Sequence, residues 1–296
     1  MSVDGAAQRA EAHLQAGEYR ESREAATAGL AGAPEDVELL LLAGRAGVEL
    51  DADDATEQLR RACELAPERA DAWHYLGEAL AAEGQMDEAN DAFRRAVELD
   101  PADQVALSHL GHTSAATGRE EEAVGFLSQA AQSMSGASNA AISLVDMYRT
   151  LGQYEEALAQ ARRIAEAEPD DIVATLDVAE LSLAVGQFDE ALAAFRRLRE
   201  LDDVAGHEAY PLHGMIKVEI QREQWLGALE LAREASISDL QGRRVNVIAF
   251  LQTQAGEPGE QAPSGEEVDD ALTASLSQYR RMHADDRRLV SEDLLG

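Results

Sequence analysis

The sequence predicts an all-α solenoid of stacked antiparallel helix pairs, on three observations. Residue types recur every 34 positions, the apolar residues within each period fall on helical stripes, and glycine or proline closes each stripe. Pro34, Pro67, Pro101 and Pro169 stand 33, 34 and 68 residues apart, with Ser135 in the missing slot. Ala55, Ala89, Ala123, Ala157 and Ala191 keep the 34-residue step, led by Ser22, and Gly84, Gly118, Gly152 and Gly186 repeat it again.

Each period reads as two helices. Over Asp71 to Ala82, Trp73, Leu76, Ala79 and Leu80 recur at helical spacing, and Gly84 ends the run by permitting a left-handed backbone. Over Asp87 to Leu99 the stripe is Ala89, Ala92, Phe93, Ala96 and Val97, stopped by Asp100-Pro101 because proline biases its predecessor away from helix. Helices of about a dozen residues span only ~20 Å and are marginal alone, so they must stack.

At these residues the chain resembles the tetratricopeptide repeat, whose pattern is Trp-x2-Leu-Gly-x2-Tyr, then Ala-x3-Phe, then Pro. Here it stands as Trp73, Leu76, Gly77, Leu80 in place of the Tyr, Ala89, Phe93 and Pro101. The next unit keeps Leu107, Leu110, Gly111, Ala123, Leu127 and Ala130, and the one after keeps Tyr148, Gly152, Tyr154, Ala157 and Pro169. A further unit keeps Gly186, Phe188, Ala191 and Phe195, with Asp203 where Pro is usual. Upstream, Gly17, Tyr19, Ser22 and Pro34 mark a first unit, and Ala55, Leu59, Ala62 and Pro67 a second. The resemblance implies a right-handed superhelical solenoid with six repeats at 3–36, 37–69, 70–103, 104–137, 138–171 and 172–205.

Residues 206–255 read as a degenerate repeat, with Pro211 in its first turn and Trp225, Ala228, Ala232 and Ala235 after a three-residue slip, followed by a helix over Gln241 to Gln254. Residues 256–265 are a linker by composition. Ser264 and Glu267 form a capping box for a last helix, and 266–296 follow as that helix and its tail. Its arginines Arg280, Arg281, Arg287 and Arg288 are the locally basic stretch of the chain. It reads as a cap over the exposed edge of the stack, its arginines facing the acidic body; the other reading is a docking helix or a lid over the groove.

Composition excludes several functions. With 57 Asp and Glu against 25 Lys and Arg, a net charge of −32 repels phosphate backbones and anionic lipid. Cys63 is the sole cysteine, so neither an intrachain disulfide nor a thiolate cluster can form. The N-terminus lacks an apolar secretory run, and the longest aliphatic stretch, Leu39 to Ala43, is too short to span a bilayer, so a soluble cytoplasmic protein is expected. No nucleophile elbow, phosphate loop or dinucleotide fingerprint occurs, and carboxylate pairs such as Glu155-Glu156 read as solvated faces; no enzyme activity, cofactor or metal is expected.

In the resembled family the first helix of each pair lines a concave groove. That mapping places His74, Glu78, His109, His112, Asn139, Ser143, Asp146, Arg149, Asp177 and Glu180 there as candidate partner-binding residues. His109 and His112 share a helical face opposite Glu78, but their spacing matches no metal motif, so they read as polar groove residues. Some members of the family grip acidic C-terminal peptides through Lys, Asn and Arg at these slots. Here His74, Glu78, His109, Asn139 and Ser143 occupy them, so only the Asn survives. The expected function is a protein–protein adaptor whose acidic groove takes a cationic or neutral segment. Its rival is a peptide- or small-ligand-sensing regulator, disfavoured because repeats begin at Val3 and leave no room for an N-terminal DNA-binding module.

Lys217 is the sole lysine. High-GC coding would enrich Ala and Arg together, whereas adaptation to high internal salt would also explain the excess of carboxylates. Salt adaptation implies that the melting temperature rises from low to molar salt, as screening relieves self-repulsion. Equal melting temperatures at both extremes would contradict it.

Overall fold

The computed structural model describes residues 3–133, 138–202, 209–235, 247–256 and 263–293, except the side chains of Ser133 and residues 284–293. The described residues form sixteen α-helices and no strand, in two compact units, 1–134 and 135–296.

The first unit holds four helix pairs: α1 (Val3–Gln15) with α2 (Tyr19–Leu30), α3 (Val37–Val48) with α4 (Ala55–Leu65), α5 (Ala70–Ala82) with α6 (Met86–Leu99), and α7 (Gln104–Ala116) with α8 (Glu120–Ser133). Each helix packs on the next, and the first helices α1, α3 and α5 also touch in series. The sequence placed α5 and α6 one residue late at their starts and correctly at their ends. Between them the Gln85 amide reaches back to the Leu80 carbonyl at 2.8 Å, which requires the left-handed Gly84 (φ 75°). Asp51 (φ 50°) and Glu223 (φ 59°) adopt that conformation at the matching turns of the second and degenerate repeats, where the sequence offers no glycine.

The two helices of a pair approach closely because one presents no side chain. A Cβ on Gly77 would stand 2.7 Å from the Phe93 ring, and one on Gly111 would stand 2.6 Å from Leu127 Cγ. Phe93 is fully buried among Leu59, Leu76, Leu80 and Leu110. Cys63 lies in the same core, where burial pushes its thiol up to about 12 and leaves it unreactive. Buried polar groups connect helices within and between repeats: Ser22 donates to the Ala10 carbonyl at 2.7 Å inside the first pair, and Asn90 donates to Thr113 and Ser114 of the next repeat at 3.1 and 2.9 Å.

The second unit continues with α9 (Asn139–Thr150) and α10 (Tyr154–Ala167), α11 (Ile172–Ala184) and α12 (Phe188–Leu201), and α13 (Ala209–Gln221) and α14 (Trp225–Glu234). Then come α15 (Val247–Gln254) and α16 (Gly265–Asp293). The expected helix start at 241–246, most of the linker (257–262), Ser135, Asp203 and the tail 294–296 lie outside the described residues, as do the side chains of Arg287 and Arg288. The capping box forms: the Glu267 amide donates to Ser264 Oγ at 3.2 Å, and the Ser264 amide to Glu267 Oε2 at 2.8 Å.

The last helix packs on two groups of elements. Its first half sends Val268, Ala271 and Leu272 into a core with Ile216, Leu229, Phe250 and Leu251, closing the final pair. Its remainder lies against α13 and α11, both first helices. No helix among the described residues is long and apolar enough to cross a membrane.

Candidate functional site

Most of the candidate partner-binding residues fall into two clusters, one per unit, with His112, Asn139 and Ser143 outside them. In the first, α5 and α7 present His74, Glu78 and His109 together. His74 Nε2 lies 3.2 Å from Glu78 Oε1, and His109 Nε2 lies 3.7 Å from the same oxygen. One ligand atom from each comes within 4.8 Å of the others, and no other such group of His, Cys, Asp and Glu occurs among the described residues. His74 is buried, and its Nδ1 lies 3.3 Å from Asp103 Oδ2. Burial works against a charge on His74, but Glu78 and Asp103 outweigh it and raise its pKa. The stacked Phe93 ring, 5.0 Å away, orients His109. His112, one turn further along α7, is exposed and bonds the Ser108 carbonyl.

The second cluster is an ion-pair lattice. Arg149 on α9 reaches Asp177 and Glu180 on α11, each at 2.7 Å. Arg280 of α16 reaches the same two carboxylates, each at 2.6 Å. Asp177 is almost wholly buried, its side chain 4% exposed. The Glu180 carboxyl is penalised by burial, yet Arg280 and Arg149 hold it below the usual carboxylate range. Two arginines thus face two carboxylates in this cluster. Beside it Asp146, Arg149 and Glu180 line one side of an open cleft of about 650 Å³, with Lys217, Leu276 and Arg280 across it. Ser143 is half-buried on α9, and Asn139 is exposed at its first turn.

Other contacts fix α16 on the first-helix face. Lys217 pairs with Asp269 at 3.1 Å, Gln278 donates to the Tyr210 hydroxyl at 2.9 Å, and Tyr279 stacks on Tyr210. His283 meets the buried Asp202 at 3.1 Å, and His213 bonds Ser275. The sequence reading did not select Asp103, Lys217 or His213 as site residues. Asp103 caps α7, accepting from the Val105 and Ala106 amides at 2.9 and 3.0 Å. A 34-residue period cannot reveal that a helix after the repeats returns onto α11 and α13.

Two family models, both described as tetratricopeptide repeat, match residues 70–103 and 148–213. No curated protein matches the chain. Among solved structures, the C-terminal part of a repeat protein from Cytophaga hutchinsonii has a TM-score of 0.64 at 16% identity, with 80% of this chain and 96% of that one covered. Pseudomonas aeruginosa pilF has a TM-score of 0.56 at 15% identity, covering 75% and 97%. YrrB, described as a TPR protein with an unusual peptide-binding site, has a TM-score of 0.53 at 22% identity, covering 68% and 98%.

His213 gives this region a pH response. Burial lowers its pKa to about 4, against 6.5 ordinarily, so the folded chain binds a proton less readily than the unfolded one. The resulting stabilisation is complete above about pH 6.5 and is lost as the pH falls toward 4. Between pH 7 and 5, the protein should lose about 2 kcal/mol more than His213→Gln in urea unfolding. Equal losses would contradict this.

Proposed function

We propose that this chain, a tetratricopeptide repeat protein, is a non-catalytic adaptor that binds a partner segment carrying arginine, or a neutral one, on its first-helix face. The observation that carries the reading is Arg280: its guanidinium sits between two groove carboxylates at 2.6 Å each, the arrangement an arginine from another polypeptide would seek. In this reading α16 is a ligand in cis, and a partner segment competes for Asp177 and Glu180 or uses the adjoining cleft. Repeat helices locked by their neighbours give a preformed surface, so little ordering of the receptor opposes binding. The similarity to YrrB adds support for a peptide ligand. A net charge of −32 argues against nucleic acid or anionic membrane as the partner, and we place the adaptor in the cytoplasm.

Three labelled peptides of matched length, one arginine-rich, one neutral and one ending in an acidic tail, test this by fluorescence anisotropy. The arginine-rich peptide should bind with an affinity that falls as salt rises. Arg280→Gln, which removes one of the two guanidinium partners of Asp177 and Glu180, should tighten it several-fold. An acidic peptide that binds as well as the basic one would overturn the proposal.

A further inference from the structure

We propose that His74, Glu78 and His109 form a three-ligand site for a divalent transition metal, zinc above all, on the first-helix face of the first unit. The inference is independent of the peptide reading, which rests on residues of the second unit.

The distances fit. Donors around a tetrahedral zinc, each about 2.0–2.1 Å from the metal, stand roughly 3.3–3.4 Å from one another. Glu78 Oε1 lies 3.2 Å from His74 Nε2 and 3.7 Å from His109 Nε2, and the three donors lie within 4.8 Å of one another. An ion at their centre is reached by side-chain rotation of the half-exposed Glu78 and His109, which leaves the buried His74 in place.

The surroundings are those of a metal-ligating histidine. Asp103 Oδ2, 3.3 Å from His74 Nδ1, favours the proton on that nitrogen and directs the lone pair of Nε2 toward Glu78 and His109. Asp103 is itself fixed, because its other oxygen caps α7. Phe93 orients both imidazoles, with His109 stacked on it and His74 edge-on at 5.8 Å. The helices fix the rest: His74 and Glu78 are one turn apart on α5, and His109 comes from the next repeat. A short-range metal motif therefore cannot appear in the sequence, which is why spacing alone argued against one.

Donor chemistry sets the class of ion. Two imidazoles and one carboxylate suit zinc, cobalt or nickel, whereas magnesium and calcium prefer oxygen alone. With Asp103 behind His74, two carboxylates offset the charge of the ion. Glu78 and His109 have side chains 38% and 41% exposed, so the fourth position faces solvent and is open to water.

Full-length protein, freed of metal by chelator dialysis and titrated calorimetrically with zinc chloride near neutral pH, tests the site. One zinc should bind per chain with a micromolar or tighter Kd, and magnesium should give no heat. His109→Ala should weaken zinc binding at least tenfold. Asp103→Asn, which keeps the helix cap, should weaken it about tenfold. His112→Ala should leave it unchanged. The cobalt-loaded protein should show the intense visible absorption of a tetrahedral centre, lost in His109→Ala. Circular dichroism melting checks that the variants are folded. No heat with zinc, or zinc binding unaffected by His109→Ala, overturns the proposal, the latter because it would place the ion on scattered surface carboxylates.

Discussion

The close approach of the two helices within a pair is the constraint on which the rest depends. Helices of 11–14 residues have too few internal hydrogen bonds to be stable alone and must bury their apolar faces on neighbours. In an alanine-rich chain with 4% aromatic residues, little bulk is available to fill the space between them. Small residues bring the backbones together and a few large ones fill what remains, as Gly77 does against Phe93 and Gly111 against Leu127. Both clusters of candidate side chains depend on the stacking of such pairs, because each draws residues from successive first helices, α5 and α7 in one and α9 and α11 in the other, where Arg280 of α16 joins them.

Between repeats the surface adds a second periodic connection. Arg60 meets Glu88, Arg94 meets Glu122 and Arg162 meets Glu190, each arginine on a second helix pairing with the second helix of the next repeat. Exposed pairs of this kind contribute roughly 0–1 kcal/mol each, so they align repeats more than they hold them. They also give the arginines of an acidic chain a defined use. In the second unit Arg149 and Arg280 pair with Asp177 and Glu180, whereas in the first unit histidines and a carboxylate stand together, so each unit offers its own chemistry.

Periodicity made most of the fold legible. The glycines that terminate first helices, the alanines at close contacts and the capping box at Ser264 each carry a local signal, and each performs the expected task. Where the local signal is absent, the backbone still follows the repeat: Asp51 and Glu223 take the left-handed turn because the flanking helices impose it. The candidate site was legible as a set of positions and not as a set of interactions. Spacing placed His74, Glu78 and His109 on one face, yet nothing local marks Asp103 as the group behind His74. Spacing likewise put Asp177 and Glu180 in the groove, whereas Arg280, about a hundred residues later, reaches them only through the return of α16. Contacts between distant segments have no period to betray them.

The most direct test of the central claim is one substitution made at two glycines. Gly77 faces the Phe93 ring, while a Cβ on Gly125, exposed on α8, would meet nothing within 4 Å. In thermal unfolding, Gly77→Ala should destabilise the protein by about 1–3 kcal/mol through overpacking. Gly125→Ala should stabilise it by roughly 0.5–1 kcal/mol, the ordinary gain of alanine over glycine within a helix. If Gly77→Ala also raised the melting temperature, the close approach of paired helices would not be the constraint that organises this structure.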